Sequence, residues 1–352
     1  MAIAQEARLT FAHPPPILES AGSLGAVMAD DEDDEIPAVA RPDPAELDFD
    51  LGAVLAAVVS VRTEVPPDAF TAQALGTERR GNGVAIGADG LILTIGYLIT
   101  EAERVWLTSS TGTVAPGHVM AYDQGTGFGL IQPLGRLGTR SLALGASDGL
   151  EPGDPVVIAG GRGLRDALSS RLVAKRPFAG YWEYFLDTAL FTAPAHPHWG
   201  GAACIGPRGE LVGIGSLLVQ EVAREGQALV GNMIVPTDIL PPILDDLLRL
   251  GRVDRPPRPW LGLFANDAAE GVVVTGLAQG GPAARAGLAE GDLVTDLEGA
   301  PVEDLGDLWR KLWACGEAGV TIRLGLTRDG RRLERACQTA DRASFLKRPM
   351  LH

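Results

Sequence analysis

Gly81-Asn82-Gly83-Val84-Ala85-Ile86, followed by Asp89-Gly90-Leu91-Ile92-Leu93-Thr94, is the stretch on which the fold turns. Two short aliphatic runs, bounded by glycine and entered through Asp-Gly, read as a strand and a hairpin. The pattern continues on both sides. Val58–Val61, Val105–Thr108, Leu130–Gln132, Pro155–Ala159, Leu211–Ile214 and Leu229–Val230 are further β-type runs between residues 52 and 233. Many short strands with glycine-rich turns predict a barrel or sandwich, so the chain reads as mainly β. The 45 glycines and 25 prolines among 352 residues agree, since both serve tight turns. That length holds about two ordinary domains plus connections.

Beyond these runs the period changes. Thr237 to Gly251 reads as a helix, with Thr237 or Asp238 as its cap, Leu240, Leu244, Leu247 and Leu248 on one face, and Gly251 ending it. Residues 251–259, basic and proline-rich, read as a linker, and residues 260–340 as a compact αβ unit. Within that unit Gly271–Thr275 is a β-type run, a short Ala-rich helix closes at Gly287, and a strand is entered through Gly291-Asp292. Leu305, Leu308, Trp309 and Leu312 then recur at helical spacing over 305–314. Residues 341–352 are left as a C-terminal tail.

Charge is unevenly spread. Residues 1–50 hold twelve acids, including the run Asp30 to Glu35, against Arg8 and Arg41, so they carry about −10 of the net −15. With its triple proline Pro14–Pro16 and no sustained period, the segment reads as an extended or disordered N-terminal arm. It is a solvated tail or a docking strip for a basic protein surface. The acidic run lacks the spaced oxygens and central glycine of a calcium loop, and no basic stripe offers itself to nucleic acid. Cys204, Cys315 and Cys337 are an odd number without CxxC spacing, which argues against a disulfide framework or a cysteine zinc site. Glu6 and Arg8 stand where a secretory signal would be apolar, and the longest apolar run, around Leu51–Val61, is too short for a bilayer. A soluble, cytoplasmic chain without a membrane span is the expectation. No cofactor is expected, because Gly160-Gly161-Arg162-Gly163 lacks both the dinucleotide and the Walker patterns and reads as a plain loop.

Taken in order, the landmarks resemble the HtrA/DegP-like, trypsin-type serine proteases. The hairpin at 81–94 is followed by Leu142-Ala143-Leu144-Gly145 with Ser147-Asp148, then Glu151-Pro152-Gly153-Asp154, Gly200-Gly201, and Gly209-Glu210-Leu211-Val212-Gly213-Ile214. Gly251-Arg252-Val253 precedes Arg258-Pro259-Trp260-Leu261-Gly262. The C-terminal unit, with Gly281-Pro282-Ala283-Ala284-Arg285-Ala286-Gly287-Leu288 and Gly291-Asp292-Leu293-Val294, looks like a bacterial PDZ domain. The resemblance implies a chymotrypsin-like double β-barrel over 52–250, followed by a PDZ domain over 260–340. It implies that main-chain N–H groups of Leu261, Gly262 and Leu263, beside Trp260, capture a peptide's C-terminal carboxylate. The peptide would add a strand beside the 305–314 helix, where Leu308 and Leu312 line the groove or fill the core. Family members often form trimers through residues near the start of the protease domain; the acidic arm departs from the family there, so a homo-oligomer stays open.

The same resemblance says where a catalytic triad should sit. The histidine position, after the hairpin, reads Thr94-Ile95-Gly96-Tyr97-Leu98-Ile99, with Tyr97 in place of the base. The aspartate position, after Asp123-Gln124-Gly125-Thr126, is Gly127. The serine position, before Gly200-Gly201, is Trp199. Tyrosine is a poor base at neutral pH, glycine has no side chain, and indole offers one donor and no nucleophilic oxygen. Serine hydrolysis needs all three roles filled. The expectation is a non-catalytic scaffold or adaptor, either a structural subunit of a larger assembly or a chaperone-like binder. The alternative is a serine-type endopeptidase with a non-standard active site. Cys204 reads as inert and buried. His196 and His198 could share a face toward a metal, but no third ligand is evident nearby, so no metal is expected.

Overall fold

Alternating burial along short strands closes two barrels. The computed structural model describes residues 35–222 and 228–347. In the first barrel β1 (Val58–Glu64), β2 (Glu78–Ile86), β3 (Leu91–Ile95), β4 (Arg104–Ser109), β5 (Val114–Tyr122) and β6 (Phe128–Pro133) are hydrogen-bonded in the order β1-β2-β3-β6-β5-β4. The quoted hairpin is β2 and β3, with Val84 opposite Leu93 and Ile86 opposite Leu91. The second barrel runs β10-β11-β12-β9-β8-β7, from β7 (Pro155–Ala159), β8 (Ala167–Gly180), β9 (Tyr184–Ala193), β10 (Ala203–Ile205), β11 (Leu211–Val222) and β12 (Ala228–Pro236). Apolar side chains such as Leu93, Leu107, Phe128 and Ile131 are wholly buried in the first, and Ile158, Leu190 and Ile234 in the second. The architecture is that of a chymotrypsin-like double barrel.

Four strands of the barrels escaped the sequence reading for identifiable reasons. β5 carries Pro116 and Gly117, β8 carries Lys175, Arg176 and Pro177, and β10 is three residues long. β9 gives no clean alternation, with two exposed residues in succession before its buried run. The helix following the second barrel also differs from expectation. It spans Pro241–Leu250, after a 3-10 turn at Thr237–Ile239. Asp238 does not cap it: its carboxylate accepts the backbone N–H and hydroxyl of Ser147 at 3.0 and 2.6 Å. Proline at the first helical positions needs no donor partner, and Gly251 ends the helix with φ +68°.

The N-terminal arm is only partly what the composition suggested. Its first 34 residues, with the triple proline and most of the acidic run, lie outside the described residues. Residues 35–50 are not a free tail. Ile36 is buried and its N–H donates to the Arg165 carbonyl at 3.0 Å, while Arg41 Nη2 pairs with Glu35 at 3.0 Å. Ile36, with Leu47 and Phe49 packed on the core farther along, pins the segment to the barrels.

The PDZ domain holds a sheet in the order β13-β14-β15-β17-β18, with the two-residue β16 beside β15. Its strands are β13 (Leu263–Ala268), β14 (Gly271–Leu277), β15 (Leu293–Leu297), β16 (Ala300–Pro301), β17 (Thr321–Arg328) and β18 (Arg331–Gln338). The helix Leu305–Ala314 packs across it, capped by Asp304 through the Asp307 N–H. β13 is an edge strand. Among the described residues, no helix is long and apolar enough to cross a membrane.

Candidate functional site

Asn82, buried in β2, staples the cleft between the barrels. Its N–H donates to the Gly200 carbonyl at 2.8 Å, its Nδ2 to the His198 carbonyl at 2.9 Å, and its Oδ1 accepts the Gly161 N–H at 2.8 Å. The loop from His196 to Gly201 is thereby fixed against the first barrel. Gly201 must be glycine: φ is +74°, and a Cβ would stand 1.9 Å from the Asn82 carbonyl oxygen.

Tyr97 and Trp199 meet in this cleft. Tyr97 lies in the 3-10 turn Gly96–Leu98 after β3, and its hydroxyl donates to the Ser216 carbonyl at 2.8 Å. Burial holds the phenol well above its ordinary pKa, only partly offset by a hydrogen bond from Trp199. A neutral, committed hydroxyl takes no proton at physiological pH. Gly127 lies immediately before β6, and its carbonyl accepts the Gly96 N–H at 2.6 Å, beside Tyr97. The structure thus gathers all three positions at one place. An acid would be strained at the third: φ at Gly127 is +82°, and a Cβ would lie 3.0 Å from the Tyr184 hydroxyl oxygen. That hydroxyl donates to the Thr126 carbonyl at 2.8 Å.

A further residue escaped the sequence reading although it was legible there. In serine proteases of this type the oxyanion is held by the N–H of the nucleophile residue and that of the residue two before it. Two before Trp199 stands Pro197, which has no N–H. Cys204, five residues after Trp199, is buried in β10, and burial pushes its thiol up to about 12. All three cysteines are free.

His196 and His198 do have an acidic neighbour, Asp166, from a turn thirty residues earlier; ligand atoms of the three lie within 4.8 Å of one another. Asp166 Oδ1 is 2.9 Å from His198 Nδ1 and 3.1 Å from Arg162 Nη2. The fully buried His196 ring accepts the His198 N–H at Nδ1 (3.1 Å), and its Nε2 is 3.0 Å from the Asp166 carbonyl. Burial would raise the Asp166 carboxyl, but hydrogen bonds from His198 and Arg162 hold it far below the carboxylate range. Burial lowers the His196 pKa and keeps that ring neutral. Both nitrogens of His196 are engaged and a guanidinium already neutralises Asp166, so the cluster has the chemistry of a closed polar network that braces the 196–199 loop. A cation would have to displace Arg162.

The predicted peptide-binding residues are also brought together. Leu261, Leu263, Leu308 and Leu312 are core, and Trp260 is buried between the rings of Phe70 and Phe345. The N–H groups of the loop are already used. Leu261 donates to both oxygens of the Glu183 carboxylate at 3.1 and 3.0 Å, and Leu263 donates to one at 2.9 Å.

The fold and this cleft define a class: a trypsin-like double barrel joined to a PDZ domain. The trypsin-like peptidase domain family matches residues 81–214 and the PDZ domain family residues 259–338. The chain is an HtrA-like protein. It is similar to the periplasmic pH-dependent serine endoprotease DegQ of Escherichia coli, 27% identical over 272 residues, covering 73% of this chain and 58% of that one. The serine protease PepD of Mycobacterium tuberculosis is 26% identical, covering 80% and 63%. HhoA of Synechocystis is 26% identical, covering 93% and 88%. The chain thus spans less than two thirds of DegQ and PepD. The solved HtrA-type protease AlgW with a decapeptide shares the fold at TM-score 0.50 and 20% identity, covering 86% of this chain and 100% of that one.

Proposed function

We propose that this chain is a non-catalytic, protein-binding member of the HtrA-like group, a scaffold or adaptor that uses its barrel surface and its PDZ domain. The observation that carries the reading is the cleft itself: Tyr97 with a committed hydroxyl, Gly127 in a backbone conformation hostile to an acid, and Trp199. The base, acid and nucleophile roles of a serine protease are vacated there, and so is one of its two oxyanion donors, at Pro197. A barrel without chemistry still offers a surface. Partners are proteins, with peptide C-termini at the PDZ domain. The second reading is a serine-type endopeptidase with a non-standard site, favoured by the relatives' names and by the Asp166–His198 pair, which has the acid-imidazole half of a triad but no nucleophile assigned to it.

Cytoplasmic placement is part of the proposal and rests on the three free cysteines; DegQ is named periplasmic, and fractionation of source cells decides. The scaffold role is tested by native affinity purification with intact-complex mass spectrometry at moderate salt. A stoichiometric partner set that dissociates when the PDZ domain or residues 1–50 are removed is the expected result. Recovery of the bare chain sinks the dedicated-subunit role.

A further inference from the structure

The loop that should receive a peptide carboxylate holds one already, and it comes from the chain's own barrel. Glu183 lies in the tight turn between β8 and β9, almost wholly buried, with φ +59°. A non-glycine residue in the left-handed region is strained, so the turn needs compensation from its contacts. The carboxylate finds it in the Leu261 and Leu263 N–H groups. Two residues before it, the Tyr181 carbonyl accepts the N–H of Ala265 on the edge strand β13 at 3.0 Å. Two residues after it, Phe185 packs against Gly306 at the start of the 305–314 helix and under Arg310, whose guanidinium is 5.2 Å from the ring centre. From the same helix, Trp309 Nε1 donates to the Gly180 carbonyl at 2.9 Å.

Two of these contacts are those of an added peptide, a carboxylate in the loop and a main-chain bond to the sheet edge from the residue two before it; Phe185, which follows the carboxylate and so has no counterpart in a free C-terminus, adds a side chain against the helix. We infer that the β8–β9 turn, with Glu183 as a substitute C-terminus, is an internal latch that occupies the PDZ groove and must be displaced by any peptide with a free C-terminal carboxylate. The inference rests on the PDZ reading of the groove and is independent of whether the barrel is catalytic. The latch makes peptide capture conditional. A bound peptide pays for expelling the turn, so apparent affinity falls by the fraction of chains in the open state. Capture would also release the PDZ domain from the barrel's β8–β9 edge, coupling ligand to domain arrangement.

The latch also has a pH sense. Burial pushes Glu183 up to about 7, against the pull of the Leu263, Leu261 and Gly262 N–H groups and of Arg342. The other ionisable group coupled to it is Cys337 on β18, whose thiol burial pushes up to about 11, well above pH 8. A released Glu183 has an ordinary carboxyl pKa near 4.3. The closed form therefore keeps a proton that the open form has lost, and raising the pH from 5 to 8 favours opening, by about tenfold or more.

The test uses the full chain and a fluorescein-labelled hexapeptide, Phe-Ala-Gly-Tyr-Trp-Val, with a free C-terminus or a C-terminal amide. Glu183→Ala is expected to bind the free-acid probe at least tenfold more tightly than wild type, with the amidated probe weak for both. Wild-type affinity should rise from pH 5 to 8, while that of Glu183→Gln stays flat. Equal affinities for wild type and Glu183→Ala, including no binding to either, would overturn the latch. Should Glu183→Ala fail to fold, hydrogen exchange on the peptide-free wild type decides. Slow exchange at Leu261 and Leu263 that speeds up from pH 5 to 8 beyond the intrinsic increase supports it, and fast exchange at pH 5 refutes it. Covalent modification of the cleft by a serine reagent would defeat the scaffold reading and leave these outcomes untouched.

Discussion

Arg79→Leu is expected to destabilise the first barrel by about 3–5 kcal/mol. The Arg79 side chain is buried beneath the cleft. Nη1 donates to the carbonyls of Tyr97 and Thr100 at 2.7 and 2.9 Å, Nη2 to the Thr71 hydroxyl at 2.7 Å, and Nε to the Gly76 carbonyl at 3.2 Å. Thr71 in turn donates its hydroxyl hydrogen bond to Glu101, whose carboxylate also accepts the N–H groups of Phe70 and Thr71. Burial lowers the guanidinium to about 10, with Glu101 pulling it back, so it remains charged at neutral pH. Leucine would strand three carbonyls and leave Glu101 without its counter-charge. The turn that carries Tyr97 hangs on two of these bonds. Calorimetry of a two-domain chain resolves separate transitions, and the barrel transition should fall by roughly 10 °C. A fall under about 2 °C would show that the network is not what holds the turn.

Trp309→Ala should cost about as much, 3–5 kcal/mol by the usual penalty for deleting a buried aromatic, but in the PDZ domain. Trp309 is wholly buried, in the core with Leu308, Leu312 and Leu324. Its indole N–H reaches the Gly180 carbonyl in the barrel. The variant loses core volume and the bond to the β8–β9 turn together. The expected calorimetric result is a separate, earlier PDZ transition with the barrel transition nearly unchanged. Trp309→Phe, which keeps most of the volume and loses only the donor, should recover most of the PDZ stability. Equal loss in both transitions would mean that the two domains fold as one unit.

The features most legible in sequence were those written locally. The 305–314 helix was read to the residue because four apolar side chains recur at helical spacing on its core face. The hairpin at 81–94 and the strand at Pro155–Ala159 carried their own glycines or aliphatic runs. Strands with turn residues inside them, such as β5, were invisible to a pattern that treats proline and glycine as breaks. The three triad positions were placed by order along the chain, and Tyr97 and Trp199 do meet in space. Asp166 was missed because its tie to His196 and His198 spans thirty residues and it lies just past the 160–163 loop read as plain. Glu183 had no local signal at all: its partners are 78 and 80 residues away, and nothing in Tyr181-Trp182-Glu183-Tyr184 announces a buried carboxylate. Pro197 could have been read directly, since a missing N–H is a property of the residue alone.

The central claim is that the cleft performs no serine hydrolysis, and the most direct measurement is intact-mass spectrometry of the purified chain after exposure to a serine-directed phosphonate, with casein degradation followed in parallel. The account predicts an unmodified mass and intact casein. Stoichiometric labelling at a single residue, accompanied by casein cleavage, would contradict it and establish the non-standard peptidase instead.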